Sequence, residues 1–382
     1  MKGQQRNIYP GGNTSEGFYS YYNYILPQRE AEKIFCIKGG PGVGKSTMMK
    51  EIGVHFLEKG EDVDFLWCSS DPSSLDGILL KKRAIAMVDG TAPHIVDPKN
   101  PGAVDEIVNL GEFWDEAAMG ENREGIISCN EKIGETFEIT YGYLKCAGSQ
   151  YRFMADILEK LISQETMQNI RRQLNVAIGK LSPVKRMENK IRRDYAMGTD
   201  TKPGKVKKFF AGAITPEGIK CELDSLVRSM EKVIVLNVPV GFRTERMLKS
   251  ESERLTGAGF DVEEYYCPMD PQHKLEHILV PSIGLAVVSC NSYHGIYLLA
   301  KNKKTTTIEV LVDHSVNQGL AAVLEDLQQE SRKNIDKALT HLKMAKEYHD
   351  LLEEYYVPNM DFEEIERKRN EIIDQIEKKI LS

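Results

Sequence analysis

The chain has 382 residues, 41% of them hydrophobic and 28% charged, with a formal net charge of −7. That length and apolar content can bury two cores, while the lack of an eighteen-residue apolar run or an N-terminal apolar segment argues against membrane insertion and export. Seven cysteines, odd in number and without a C-x-x-C pair, point to reduced thiols of a cytoplasmic protein rather than a disulfide or zinc framework.

Phe18 to Leu26 reads as a short helix, and Ile34-Phe35-Cys36-Ile37 as a buried strand. Gly39-Gly40-Pro41-Gly42-Val43-Gly44-Lys45-Ser46 follows, with Thr47 next. This is the pattern G-x-x-x-x-G-K-[ST] between a strand and a helix, the context that a phosphate-binding loop requires. Glycines let successive backbone N–H groups point into one concavity that a β-phosphate fills. Lys45 would reach the β- and γ-phosphates, and the Ser46 hydroxyl would ligate Mg²⁺. The helix from Lys45 to Gly60, with Met48, Met49, Ile52 and Phe56 on one side, adds partial positive charge beneath the phosphates. The expected ligand is a nucleoside triphosphate.

Val63 to Cys68 reads as a second strand, followed by Ser69-Ser70-Asp71-Pro72. Ligands of open α/β sheets gather at the carboxyl ends of strands, so Asp71 could orient an acceptor or a water. Asp-Pro with flanking serines is equally a turn and cap signal. Ala84 to Val88 is a third strand, closed by Asp89, the candidate second Mg²⁺ group. Gly90 follows it where a water-polarising Glu would be useful, so water activation must come from elsewhere or hydrolysis is slow. Thr91 is a candidate γ-phosphate sensor, and His94 could sense the γ-phosphate or act in acid–base chemistry.

Ile133, Phe137, Leu144, Tyr151 and Met154, then Ile170, Leu174 and Ile178, predict a long helical hairpin. Residues 170 to 208 carry twelve Lys/Arg against three Asp/Glu, among them Arg171, Arg172, Lys185, Arg186, Arg192 and Arg193. Such a run could grip nucleic acid or close over a triphosphate. With Tyr195 its only interleaved aromatic, a solvated helix face leading into the linker Gly198 to Lys205 is the favoured reading.

The chain then repeats itself. Thr14-Ser15-Glu16-Gly17 returns as Thr215-Pro216-Glu217-Gly218, and Cys68-Ser69-Ser70-Asp71-Pro72 as Cys267-Pro268-Met269-Asp270-Pro271. Tyr143-Leu144-Lys145 returns as His341-Leu342-Lys343, and His94 has a counterpart in His294. Aligned on Pro41 and Pro239, Gly39 becomes Asn237, Gly44 becomes Phe242, Lys45 becomes Arg243 and Ser46 becomes Thr244, while Asp89 meets Ser289. A Phe at the close-approach glycine penalises the backbone curl, and a guanidinium substitutes poorly for the compact ammonium. One working site and one degenerate partner are expected. Ile335, Leu339, Leu342 and Ala345 predict the second long helix; Pro358-Asn359 ends it, and Asp361 with Glu364 resembles a capping box for a last helix.

The predicted fold class is therefore α/β: two tandem P-loop NTPase-like modules with mainly parallel sheets, each followed by a long helical hairpin. The modules span residues 1–200, with the intact loop, and 205–382, with the degenerate one.

GGPGVGKST at 39–47, CSSDPSSLDG at 68–77, VDGTAPHIVDP at 88–98 and FFAGAITPEG at 209–218 together resemble a little-characterised family of bacterial tandem P-loop ATPases. The resemblance spans essentially the whole chain and implies two P-loop folds, ATP binding and a cytosolic protein, with no established substrate. NVPVGFRT at 237–244 departs from that family, whose second loop is often intact, so alternation between two ATP sites is not implied here. The expected function is a slow Mg²⁺-dependent ATPase whose hairpins move against a protein partner. A small-molecule or nucleotide phosphotransferase and a non-catalytic, nucleotide-stabilised interaction protein are the alternatives.

Overall fold

The computed structural model describes residues 2–91, 96–181, 184, 202–296, 304–312, 315 and 317–378. The first half contains β1 (Gln5–Ile8), β2 (Gly11–Thr14), β3 (Gly17–Ser20), β4 (Lys33–Lys38), α1 (Lys45–Glu58), β5 (Val63–Trp67), β6 (Leu75–Leu80), β7 (Ile85–Asp89) and β8 (Asp105–Asn109). It continues with α2 (Glu116–Glu121), α3 (Arg123–Leu161) and α4 (Gln164–Gly179). The second half contains β9 (Val206–Phe209), β10 (Gly212–Thr215), β11 (Gly218–Cys221), α5 (Leu223–Val227), β12 (Lys232–Asn237), α6 (Glu245–Gly257), β13 (Val262–Cys267), β14 (Asp270–Val280), β15 (Leu285–Cys290) and β16 (Lys304–Glu309). Two helices close it, α7 (Gln318–Tyr356) and α8 (Phe362–Lys378).

The duplication is visible in the topology. One six-stranded sheet runs β1-β5-β6-β7-β4-β8, and the other, read from its opposite edge, runs β9-β13-β14-β15-β12-β16. The sheets are mixed: β6 and β14 each lie antiparallel to both neighbours, and the remaining pairs are parallel. The sequence reading missed β6 because Asp76-Gly77 interrupts its apolar run. Phe18–Leu26 is not a helix; it divides between β3 and a 3-10 turn at Tyr22–Tyr24. The repeated Thr-x-Glu-Gly marks a hairpin turn, in which Thr14 Oγ1 donates to Gly17 O at 2.7 Å and Thr215 Oγ1 to Gly218 O at 2.8 Å.

Both faces of each sheet are buried, which is why the central strands read as unbroken apolar runs. Ile34, Cys36, Ala86 and Val88 of the first sheet share a core with Val233, Val235, Ala286 and Val288 of the second. The opposite faces carry the helices. Phe35, Ile37 and Met87 pack with Met49, Ile52 and Phe56 of α1, whereas Ile234 and Leu236 pack with Met247 and Leu248 of α6. The order of layers is helix, sheet, sheet, helix. Arg6 stitches the two sheets, donating to Asp64 at 2.8 and 2.9 Å and to Glu263 at 2.8 and 2.9 Å, with 5% of its surface exposed.

The hairpins exchange places. Helices α3 and α7, 39 residues each, run antiparallel, with Gln150 Oε1 accepting from Asn334 Nδ2 at 3.0 Å at one point and Lys132 lying over the Tyr348 ring at another. The equivalent residues Tyr143 and His341 meet ring to ring at 5.5 Å between them, where a pseudo-twofold axis passes. Each hairpin tip therefore reaches the other half. Ile170, Leu174 and Ile178 of α4 join the second half's core, and Ile365, Ile372 and Ile376 of α8 join the first half's. Burial stabilises this docking by about 2 kcal/mol for each isoleucine. Asp361 Oδ1 caps α8 by accepting from Glu363 N and Glu364 N, both at 3.1 Å. No helix among the described residues is long and apolar enough to cross a membrane.

Candidate functional site

Strand β4 ends at Lys38 and α1 begins at Lys45, so the glycine-rich loop joins a central strand to a helix N-terminus. Gly42 and Gly44 adopt φ of 66° and 85°, the left-handed region that side chains with a Cβ resist. Val43, 1% exposed, points into the core beneath and anchors the turn, while Pro41 is half-buried and Thr47 is exposed.

Lys45 folds back over the loop. Its Nζ donates to Gly39 O at 2.9 Å and Gly40 O at 2.6 Å, and Asp89 Oδ2 lies 3.7 Å away. Burial pulls this ammonium below its usual value, opposed by the carboxylates of Asp89 and Glu353. Thr91 ties the end of β7 to the loop, its Oγ1 donating to Gly39 O at 2.9 Å and its N–H donating to Asp89 Oδ1 at 2.8 Å. Ser46 Oγ accepts from Leu75 N at 2.9 Å. Lys45, Ser46, Asp89 and Thr91 thus gather around one loop. Ser46 and Asp89 are the oxygen donors here that could hold Mg²⁺, which keeps much of its water and takes few protein ligands.

Asp71 is engaged by its own turn. It accepts from Ser73 N at 3.0 Å, Ser73 Oγ at 2.7 Å and Ser74 Oγ at 2.9 Å. Burial would raise its pKa, but these bonds and Lys346, 3.8 Å away, hold it below the usual carboxylate value. The turn-and-cap reading fits this geometry. His94 lies outside the described residues, as do Lys185, Arg186, Arg192 and Arg193; Arg171 and Arg172 lie on α4.

Sequence reasoning missed the roof of the site, which belongs to the second half. A Cβ placed on Gly40 would stand 2.5 Å from the Tyr356 ring, and one on Gly42 would stand 3.3 Å from Cβ and Cγ of Glu353. Phe362 and Ile365 lie over Gly44. His349 Nδ1 is 3.5 Å from Glu353 Oε1, and Lys346 pairs with Asp350 one turn away. Burial lowers the His349 pKa, against the pull of Glu353. The signal that could have found this face is the repeat itself. With Tyr143 aligned on His341, Glu353 falls on Ala155 and His349 on Tyr151, a charge difference inside an otherwise matched pair of helices.

The second loop has the same surroundings and different chemistry. Ile37 pairs with Asp89 and Leu236 with Ser289, so the missing carboxylate is confirmed by sheet register. By the same register Lys38, rather than Gly39, is the residue equivalent to Asn237. Phe242 is buried. Arg243 turns outward to Asp156 and Glu159 of α3, and Thr244 Oγ1 donates to Leu275 O at 2.7 Å. Beneath this loop lies an internal polar cluster. Lys274 Nζ donates to Tyr151 Oη at 2.6 Å, and Glu276 stands 3.9 Å from Lys274 and 3.3 Å from His294 Nε2. His277 Nδ1 accepts from Ser289 N at 3.1 Å. Glu276, His277 and His294 are close enough to suggest a metal, but Lys274 already brings the positive charge, and the Ser289 contact places the imidazole proton of His277 on Nε2, away from a ligand role.

Compared with protein-family models, with curated proteins and with solved structures, the chain finds no match.

Proposed function

We propose that the chain is a nucleoside-triphosphate-binding P-loop protein, with ATP and Mg²⁺ the favoured ligands, and that it hydrolyses ATP slowly at the single loop 39–46. The observation that carries this reading is the convergence of a buried lysine, a hydroxyl and a carboxylate on a loop whose glycines take left-handed conformations. Lys45 and the loop amides would hold the phosphates, and Ser46 and Asp89 would hold Mg²⁺, which supplies charge neutralisation at the phosphoryl oxygens. Kinship with tandem bacterial P-loop ATPases and a cytoplasmic location belong to the same proposal.

A phosphotransferase reading loses its acceptor-orienting group, because Asp71 is committed to Ser73 and Ser74. The apolar stripes of both hairpins are buried within the chain, so an outside protein partner would meet their outer faces. Purified protein should bind Mg·ATP and release phosphate, and Lys45→Ala should lower both by 100-fold or more, the scale of losing a transition-state charge contact. Turnover that appears only with an added nucleoside or metabolite acceptor would favour transfer. ATP that raises Tm without any turnover would favour the scaffold, and no binding at all would sink the proposal.

A further inference from the structure

We propose that Glu353, delivered by helix α7 of the second half, is the group that accepts the proton of the attacking water at the loop of the first half. The inference rests on the ATPase reading above and adds the residue which that reading lacks, since Gly90 follows Asp89 where no side chain can polarise water.

Three observations carry it. Glu353 lies against Gly42, at the turn of the loop that would enclose the terminal phosphates, and its charge acts on Lys45. His349 Nδ1, buried and without a hydrogen-bond partner, stands 3.5 Å from Glu353 Oε1 on the preceding turn, whereas the neighbouring Asp350 is taken by Lys346. An imidazole held neutral by burial stands beside the carboxylate as a polar neighbour and not as a fixed cation.

The third observation is the internal control that the duplication supplies. In the second half a Cβ on Gly241 would meet Met154 Cβ at 3.1 Å, Ala155 N at 3.4 Å and Tyr151 O at 3.5 Å. That is the same stretch of the partner helix, and its packing residues are retained: Met154 and Leu352 are both buried. Ala155 occupies the matching position and brings no carboxylate. At the position over the loop that keeps Lys45 and Asp89 the chain has Glu353, and at the matching position over the other loop it has Ala155, whose neighbour Asp156 is taken by Arg243. A packing role alone would not follow that division.

In the step, the water oxygen bonds to the γ-phosphorus while the bond to the β,γ-bridging oxygen breaks. The bond's electron pair leaves with ADP, and the water proton passes to the Glu353 carboxylate and then to solvent. Nothing beyond ATP and water is consumed.

The test uses the full chain, as wild type, Glu353→Gln and Glu353→Ala, incubated with ATP and Mg²⁺, with Tm as the check on folding. Glu353→Gln should bind ATP within about threefold of wild type and hold it intact after gel filtration, where wild type holds ADP. Its phosphate release should fall by 100-fold or more, the usual contribution of a positioned base, with KM little changed. Formate should restore part of the rate of Glu353→Ala and none of that of Lys45→Ala. A Glu353→Gln protein that binds ATP and releases phosphate at the wild-type rate overturns the proposal, and so does one that loses ATP binding at unchanged Tm. Wild type that binds ATP without cleaving it overturns it as well. Wild type that binds no nucleotide strikes instead at the reading of the loop itself.

Discussion

The loops of the two halves sit in the same architectural slot: each follows a central strand, precedes a helix and lies under the tip of the other half's hairpin. At the first loop the charges are Lys45, whose ammonium donates to Gly39 O and Gly40 O, and Asp89, 3.7 Å from it. Beneath the second they are Lys274, Glu276 and two imidazoles, which satisfy one another within a buried cluster. A half without equivalents of Lys45 and Asp89 still places polar groups at its strand ends. The second half does so with an internal ion pair, since unpaired buried charge is too costly to keep. The comparison teaches that two slots of one architecture can settle their polar groups in different ways.

The sharpest break of this symmetry lies where the sheets meet, and it predicts the largest stability effect. Sheet register pairs Arg6 with Asp64 in the first half and Lys207 with Glu263 in the second. Arg6 takes both carboxylates, while Lys207 Nζ reaches the carbonyl of Ile25 at 3.5 Å. A planar fork can bind two acids at once, and an ammonium cannot replace it. Arg6→Met should cost about 3–5 kcal/mol by leaving Glu263 without its cation and Asp64 with Lys81 alone, whereas Lys207→Met should cost about 1 kcal/mol or less. Urea unfolding of both variants measures the difference. Equal costs would mean that the fork is not what joins the halves.

Local signals made much of the molecule legible before the structure: the glycine pattern, the apolar runs of β4 and β7, the cap at Asp361 and the repeat. Strand β1 was hidden because Gln5-Arg6-Asn7 is polar, its burial arising from the sheet opposite rather than from its own composition. The exchange of hairpins was not legible either. An amphipathic stripe such as Ile365, Ile372 and Ile376 states which face is covered, not which half of the chain covers it. Glu353 was missed for a related reason. It lies in a run with Glu347, Asp350 and Glu354 that has the pattern of a solvated face, and only tertiary placement distinguishes it.

A pH-dependent effect should separate the halves next. His277, buried in the second half, stands where the first half has Gly77. Burial, reinforced by His294 and Lys274 and opposed by Glu276, drives its pKa down from 6.5 to about 3. The unfolded chain therefore binds a proton that the folded chain refuses between those values. The stability that the neutral imidazole secures is complete above pH 6.5 and is lost as pH falls towards 3. The whole window is worth roughly 5 kcal/mol. His349, which lies over the first loop, shifts in the same direction, so wild type alone cannot assign the slope. His277→Gln should flatten the fall in Tm between pH 6.5 and 4. An unchanged slope would show that another group carries it.

The smallest effect is predicted at Arg243, and it decides whether the second loop takes any part in binding. The arginine aligns with Lys45 of the first loop, yet its guanidinium faces Asp156 and Glu159, both more than two-fifths exposed. Exposed pairs of this kind contribute about 1 kcal/mol at most, because solvent screens the attraction and holding both side chains costs entropy. Arg243→Ala should therefore shift stability by no more than about that amount and leave ATP binding within twofold, beside the large loss expected for Lys45→Ala. A tenfold loss of nucleotide affinity in Arg243→Ala, measured by titration calorimetry, would mean that the guanidinium swings inward when ligand binds. The two loops would then be unequal members of a pair rather than one working site and one silent copy.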